Sequence, residues 1–138
     1  MTDKRKLSEA LESARKRGRV WQIKMLADPA MLTVEQMAQR LGVTNSEIEG
    51  LRRQHRVLAL NLLGETRYPA FQTGPDGMIL PCLDQIVARL DGQSLEAYRL
   101  LMSKAHDGTN RRLHELLAAG EADKALGEAD AWQSGAFT

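Results

Sequence analysis

Between Thr33 and Leu51 the chain carries its most restrictive pattern: two short runs of helical periodicity, each opened by Thr-x-x-Gln/Glu and separated by a glycine. Thr33 with Gln36, and Thr44 with Glu47, have the spacing of reciprocal caps. In such a cap a hydroxyl accepts from the backbone three residues on, and the longer side chain reaches back to the cap's own N–H. The pattern predicts helices over 34–41 and 45–54. Gly42 ends the first, because glycine enters the left-handed region without steric cost. Ala38 is small where a second helix must cross closely, and Leu41, Val43, Ile48 and Leu51 have the spacing to fill the gap between the two. Two helices crossing steeply through a short turn meet all of these restrictions together, which is a helix-turn-helix. An ordinary helical hairpin shares the packing but does not require the small residue and the glycine four positions apart.

The flanking sequence fills in the architecture. Leu7, Leu11, Ala14, Trp21 and Met25 recur at helical spacing and predict a helix along 7–27, capped by Ser8 and ended by Asp28-Pro29. Its other face carries Arg15, Lys16, Arg17 and Arg19. After the helix pair, Val57–Leu63 reads as a strand, Gly64-Glu65 as a turn and Thr66–Phe71 as the returning strand. Gly74-Pro75-Asp76-Gly77 concentrates turn formers and marks the expected boundary. Three or four helices are expected beyond it: 82–91, 94–104 after a Ser94 cap, 111–119 and 121–132. The expected fold is mainly α: a helix-turn-helix with a short β-hairpin wing, then a compact C-terminal helical domain. The divisions are 1–30, a basic amphipathic helix; 31–73, the winged helix-turn-helix; and 78–138, the helical domain.

Charge separates the halves. Residues 1–72 carry 13 Lys/Arg against 8 Asp/Glu, and residues 73–138 carry 6 against 10. A basic half attracts phosphate and an acidic half repels it, so the halves are expected to face different partners. Cys82 is the one cysteine, which excludes an internal disulfide and fits a reducing compartment. No apolar run approaches the roughly 18 residues of a membrane span, and no apolar segment follows the charged start as a secretory signal requires. A cytoplasmic protein is the expectation.

No enzyme signature is found. His55, His106 and His114 lack the spacing of a metal site, Cys82 has no matched base, and Gly74-Pro75-Asp76-Gly77 lacks the Lys-Ser/Thr of a phosphate loop. Neither a cofactor nor a metal is expected. The function instead points to the second helix of the pair, which in this motif enters the major groove of DNA with its N-terminal residues toward the base edges. Its outward residues are Asn45, Ser46, Glu49, Arg52 and Arg53. Arg and Asn pair bidentately with guanine and adenine, and Glu accepts from cytosine. Thr44 and the helix N-terminus suit a phosphate. Arg56 and Arg67 add cations near the hairpin. A solvated polar face would present the same residue types, and the hairpin would also serve simply as a cover for the helix pair.

Arg67-Tyr68-Pro69-Ala70-Phe71-Gln72 after the helix pair and hairpin resembles the DNA-binding half of bacterial proteins with an Xre/ParS-type toxin-binding domain. Tyr98–Leu101, a loop with Gly108, then Leu113–Glu121 and Ala125-Leu126 resemble the tail of that family's helical domain. The chain departs from the family at Leu100-Leu101, where an aromatic-Leu pair is usual, and at Asp107–Arg112, where a Gly-Gly-x-x-Pro loop is usual and the Pro and second Gly are missing. The resemblance implies an antitoxin that neutralises a toxin protein and represses its own operon. Homodimerisation is expected from the habit of helix-turn-helix proteins to bind paired half-sites and from the apolar stripe of residues 7–27. Leu113, Leu117, Trp132 and Phe137 are the candidate partner contacts, with a place in the protein's own core as the other reading. The alternative function is an interaction module whose helix-turn-helix no longer binds DNA, suggested by Glu35, Glu47 and Glu49 around the reading helix.

Overall fold

The structure, a computed structural model, describes residues 4–135. It is mainly helical with a small antiparallel sheet. Helix α1 spans Lys4–Ala27, and Asp28 closes it by accepting the Ala30 N–H on its side chain at 2.9 Å. The helix begins ahead of Ser8, so Ser8 lies inside it and is not its cap. The two-residue strand β1, Met31–Leu32, follows and was not legible in the sequence, being too short to show a period.

Helices α2 (Val34–Leu41) and α3 (Asn45–Arg53) stand where the two caps place them, and both capping boxes form reciprocally. Gly42 takes φ +68° and its N–H reaches back to the Ala38 carbonyl, which lets the chain reverse within a short turn. Met37, Ala38 and Ile48 are buried at the crossing, with Leu41, Val43 and Leu51 packed around them.

The hairpin is shorter than expected: β2 is Leu60–Leu62 and β3 is Glu65–Pro69, with Leu60 facing Arg67 and Leu62 facing Glu65. Its turn falls at Leu63-Gly64, both at positive φ, as a two-residue hairpin turn requires. Strand β3 lies central, between β1 and β2. A single 3-10 turn, Ala70–Gln72, ends the sheet where a longer strand was expected.

The segment Gly74–Gly77 is a hydrogen-bonded turn and not a loose linker. Gly77 donates to the Gly74 carbonyl at 3.0 Å, and Gly74 donates to the Met78 carbonyl at 2.8 Å. At Gly77 (φ +76°) an added Cβ would sit 3.0 Å from the Arg40 carbonyl oxygen, so the turn closes onto the end of α2. Four helices follow: α4 (Leu83–Arg89), α5 (Ser94–Met102), α6 (Leu113–Ala118) and α7 (Ala122–Gln133). Gln93, not Ser94, occupies the N-cap of α5 and makes no side-chain cap.

The main core joins the four C-terminal helices, and it also takes Leu58, with Phe71 and Ile79 packed against it from before and after the turn. The halves are therefore continuous in packing. Leu58 is the seam between them, and buried Gln72 holds its backbone. Its Oε1 accepts from Leu58 N–H at 2.7 Å and its Nε2 donates to the Leu58 carbonyl at 2.8 Å, so one side chain replaces a missing strand partner. Four rings extend the connection. Trp21 of α1 meets Tyr98 edge-on, and Phe71 stacks between Tyr98 and His114, at 4.6 Å from the latter. Burial holds the imidazole of His114 below its ordinary pKa.

Candidate nucleic-acid interface

Helix α3 divides sharply by face. Ile48 is buried, while Asn45, Ser46, Arg52 and Arg53 are exposed on the other side. The capping box fixes the helix start. Thr44 Oγ1 accepts from Glu47 N–H at 3.1 Å and lies 3.2 Å from Glu47 Oε1, so the Thr44 hydroxyl is already engaged. What the helix start offers a phosphate is its backbone and the exposed side chains of Asn45 and Ser46.

Glu49 is held from two sides. Arg52 grips Glu49 Oε2 through Nη2 at 2.6 Å and Nε at 3.2 Å, and the Tyr68 hydroxyl donates to Glu49 Oε1 at 3.3 Å. The hydrogen bond from Arg52 holds the Glu49 carboxyl below its ordinary range, with the Tyr68 contact adding to it. Burial, with Glu49 beside it, pushes the Tyr68 phenol up to about 12. With both oxygens engaged, Glu49 is a brace for Arg52 in this arrangement and not a free acceptor for cytosine. Two N–H groups of one planar fork converge on the same oxygen, which fixes the direction of the guanidinium. Sequence reasoning did not find the Tyr68–Glu49 contact, because nothing in the spacing shows which strand residue meets the outer edge of α3.

Arg53 and Arg56 remain exposed, Arg56 just after a left-handed His55 (φ +57°) that turns the chain out of the helix. Arg67 differs from the expectation. Its side chain is only 19% exposed, and its guanidinium folds onto Glu65 at 3.3 Å and the Thr66 carbonyl at 3.1 Å. It therefore neutralises the hairpin's own carboxylate and does not extend outward as a wing cation. The hairpin tip is also tied down: Leu63 N–H donates to Gln22 Oε1 of α1 at 2.8 Å.

The expected partner contacts of the C-terminal half move inward. Leu113 and Leu117 are fully buried, on the inner face of α6 within the main core, and present nothing to a partner. Trp132 packs half-buried against the same core and donates from Nε1 to Glu96 Oε2 at 3.2 Å, so it folds back onto α5. Phe137 lies outside the described residues. The surface outside this core is instead polar. Arg111 binds Glu121 at 2.5 Å and Asp107 at 3.4 Å, and Lys124 adds a contact to Glu121 at 3.1 Å. Hydrogen bonds from Thr109 to Asp107, and from Arg111 to Glu121, lower both carboxyls to about 2. This network braces the loop that the family resemblance placed at a Gly-Gly-x-x-Pro segment.

Among the described residues no three His, Cys, Asp or Glu side chains are grouped to hold a metal ion, and no helix is long and apolar enough to cross a membrane.

No family model matches the chain, and no curated protein matches it by sequence. Among solved structures the fold is similar to the NMR structure of Rv2175c, with a TM-score of 0.65 and 21% identity. The match covers 76% of this chain and 83% of that one. At that identity the likeness shows a shared fold, a helical protein with a small sheet.

Proposed function

We propose that the chain binds duplex DNA in a sequence-specific manner through α3, and represses transcription. The observation that carries this reading is the face of α3: Asn45, Ser46, Arg52 and Arg53 stand exposed on a helix whose opposite face is locked by Ile48 into a tight helix-turn-helix crossing. Such a helix supplies side chains that read base edges from a rigid mount, the arrangement specific recognition requires. Arg52 is the strongest reader, because Glu49 and Tyr68 hold its environment before DNA arrives. The excess of cations over residues 1–72 favours the approach of phosphate. The antitoxin-like pairing with a toxin protein follows from the family resemblance, and its contact surface would have to lie on the exposed polar face of the C-terminal helices.

The test is duplex binding by fluorescence anisotropy, comparing DNA from upstream of the chain's own reading frame with scrambled DNA over a salt series. Arg52→Ala combined with Arg53→Ala is expected to remove the preference for the cognate duplex, a loss of about 5- to 150-fold for each typical bidentate contact of about 1–3 kcal/mol. Preference retained in that variant would move recognition away from α3.

One observation favours the second reading, a protein-interaction module: Glu49 already occupies the Arg52 guanidinium at 2.6 Å. Under that reading the wild-type chain binds no duplex even at low salt.

A further inference from the structure

Nothing in the described fold covers the first half of α1. From Lys4 to Val20 every side chain is exposed. The helix packs on the body through Trp21, Gln22, Met25 and Leu26, with Arg17 and Gly18 bordering a groove beside Tyr98 and Arg99. Residues 4–18 extend about 22 Å at the rise of an α-helix. A helical segment of this length without packing is marginal in water, so an external surface would stabilise it. Its chemistry selects the surface. Six cations stand against Glu9 and Glu12 over residues 4–18, and Arg19 follows. Arg5 meets Glu9 at 3.7 Å with both side chains solvated. Among the described residues Arg15, Lys16, Arg17 and Arg19 have no ion-pair partner. At 100° per residue they fan around much of the helix.

We propose that the exposed half of α1 is a phosphate-tracking arm that lies along duplex DNA and contacts its backbone through Arg15, Lys16, Arg17 and Arg19. This rests on the reading of α3 as a DNA-binding helix. The arm's root supports it. Gln22 is bonded to the hairpin tip at Leu63, and the hairpin touches α3 through Tyr68 and Glu49, so arm, hairpin and reading helix form one connected body. A second copy of the chain fits less well. Two exposed halves, each with a net charge of +4 over residues 4–18, would repel, and only Leu7 and Leu11 are large apolar groups on the stripe that continues the packed face. The other exposed apolar groups of α1, Val20 and Ile23, lie on the opposite side of the helix, so no continuous apolar face is left for a lipid bilayer.

The experiment uses the full chain with Arg15, Lys16, Arg17 and Arg19 all changed to Gln, its fold checked by far-UV circular dichroism. Anisotropy is measured on the cognate duplex and on scrambled DNA from low to high salt. Phosphate contacts carry no base information and each adds about 0.9 to the salt slope. The slope of log K against log salt is therefore expected to fall by about 2–4, with the cognate-to-scrambled ratio unchanged. An unchanged slope overturns the arm. So does a loss of wild-type self-association in the variant by sedimentation, or tighter wild-type binding to vesicles of phosphatidylserine and phosphatidylcholine than to duplex. If the wild-type chain binds no duplex, the DNA reading fails and the arm with it. If Arg52→Ala with Arg53→Ala abolishes the cognate preference while the arm variant keeps its slope, only the arm is refuted.

Discussion

The helix pair α2–α3 packs around a cluster of six buried side chains and β2 joins α1 in a further cluster of four, whereas the C-terminal helices close over a cluster of fifteen. Ion pairing follows the same trend. Seven of the ten ion pairs among the described residues lie C-terminal to the Gly74–Gly77 turn, and most bind one helix or loop to another. In the N-terminal half the cations of α1 and Arg56 face water. A region whose charges are matched internally is stabilised by them and offers little to a ligand. A region that leaves like charges solvated tolerates repulsion, and a polyanion relieves it. The contrast assigns stability to the C-terminal helices and, under the proposed DNA-binding reading, recognition to the N-terminal half.

Truncating the larger core tests this division most severely. Leu117→Ala is expected to cost about 2–5 kcal/mol, the range for a buried leucine. Because Leu58 and Phe71 share that core, unfolding in urea should stay a single transition, with tryptophan fluorescence and far-UV circular dichroism shifting together. Separate transitions would mean that the halves are independent units and would break the comparison. Gln72→Leu addresses the seam itself. It leaves the Leu58 N–H and carbonyl without their partners, at about 1–3 kcal/mol per buried group, read from the same urea curves. A neutral result would show that the seam holds by apolar packing alone.

Tyr68→Phe removes one hydroxyl that braces Glu49 and is expected to cost about 0.5–1.5 kcal/mol. The Tyr68 phenol is raised above its unfolded value of 10, so its contribution is complete below pH 10 and is lost as pH rises toward about 12. An absorbance titration at alkaline pH should lose its highest step in the variant. The smallest effect belongs to the loop network. Asp107 and Glu121 titrate near 2, below their unfolded range of about 4, so their contributions are present above that range and are lost as pH falls toward 2. Arg111→Gln should flatten the dependence of the urea midpoint on pH between about 4 and 2. An unchanged dependence would show that these solvated pairs contribute nothing.

The legible parts of this molecule were those in which cause and effect lie within one helical turn. Both capping boxes, the left-handed Gly42 and the bounds of α2 follow from residues three or four apart, and the structure reproduces them. The hairpin's existence was visible, but its turn fell one residue earlier, at Leu63-Gly64, because strand register is set by what each face packs against. The candidate interface was legible as residue types on one face of α3. Whether each side chain is free was not: Glu49 is held by Tyr68, 19 residues away in sequence, and Arg67 folds back onto Glu65.

The sequence by itself determined the helix-turn-helix, the mainly helical class and the uneven distribution of charge, because each depends on local capping, periodicity or composition. Only the tertiary structure decided that Leu113 and Leu117 belong to the core and that Trp132 packs onto it. It also decided that Gln72 holds Leu58, whose side chain enters the C-terminal core, and that the first four turns of α1 stand uncovered. Those outcomes depend on which distant surfaces meet, and burial of an apolar or polar group is a property of the pair of surfaces, which no stretch of sequence contains.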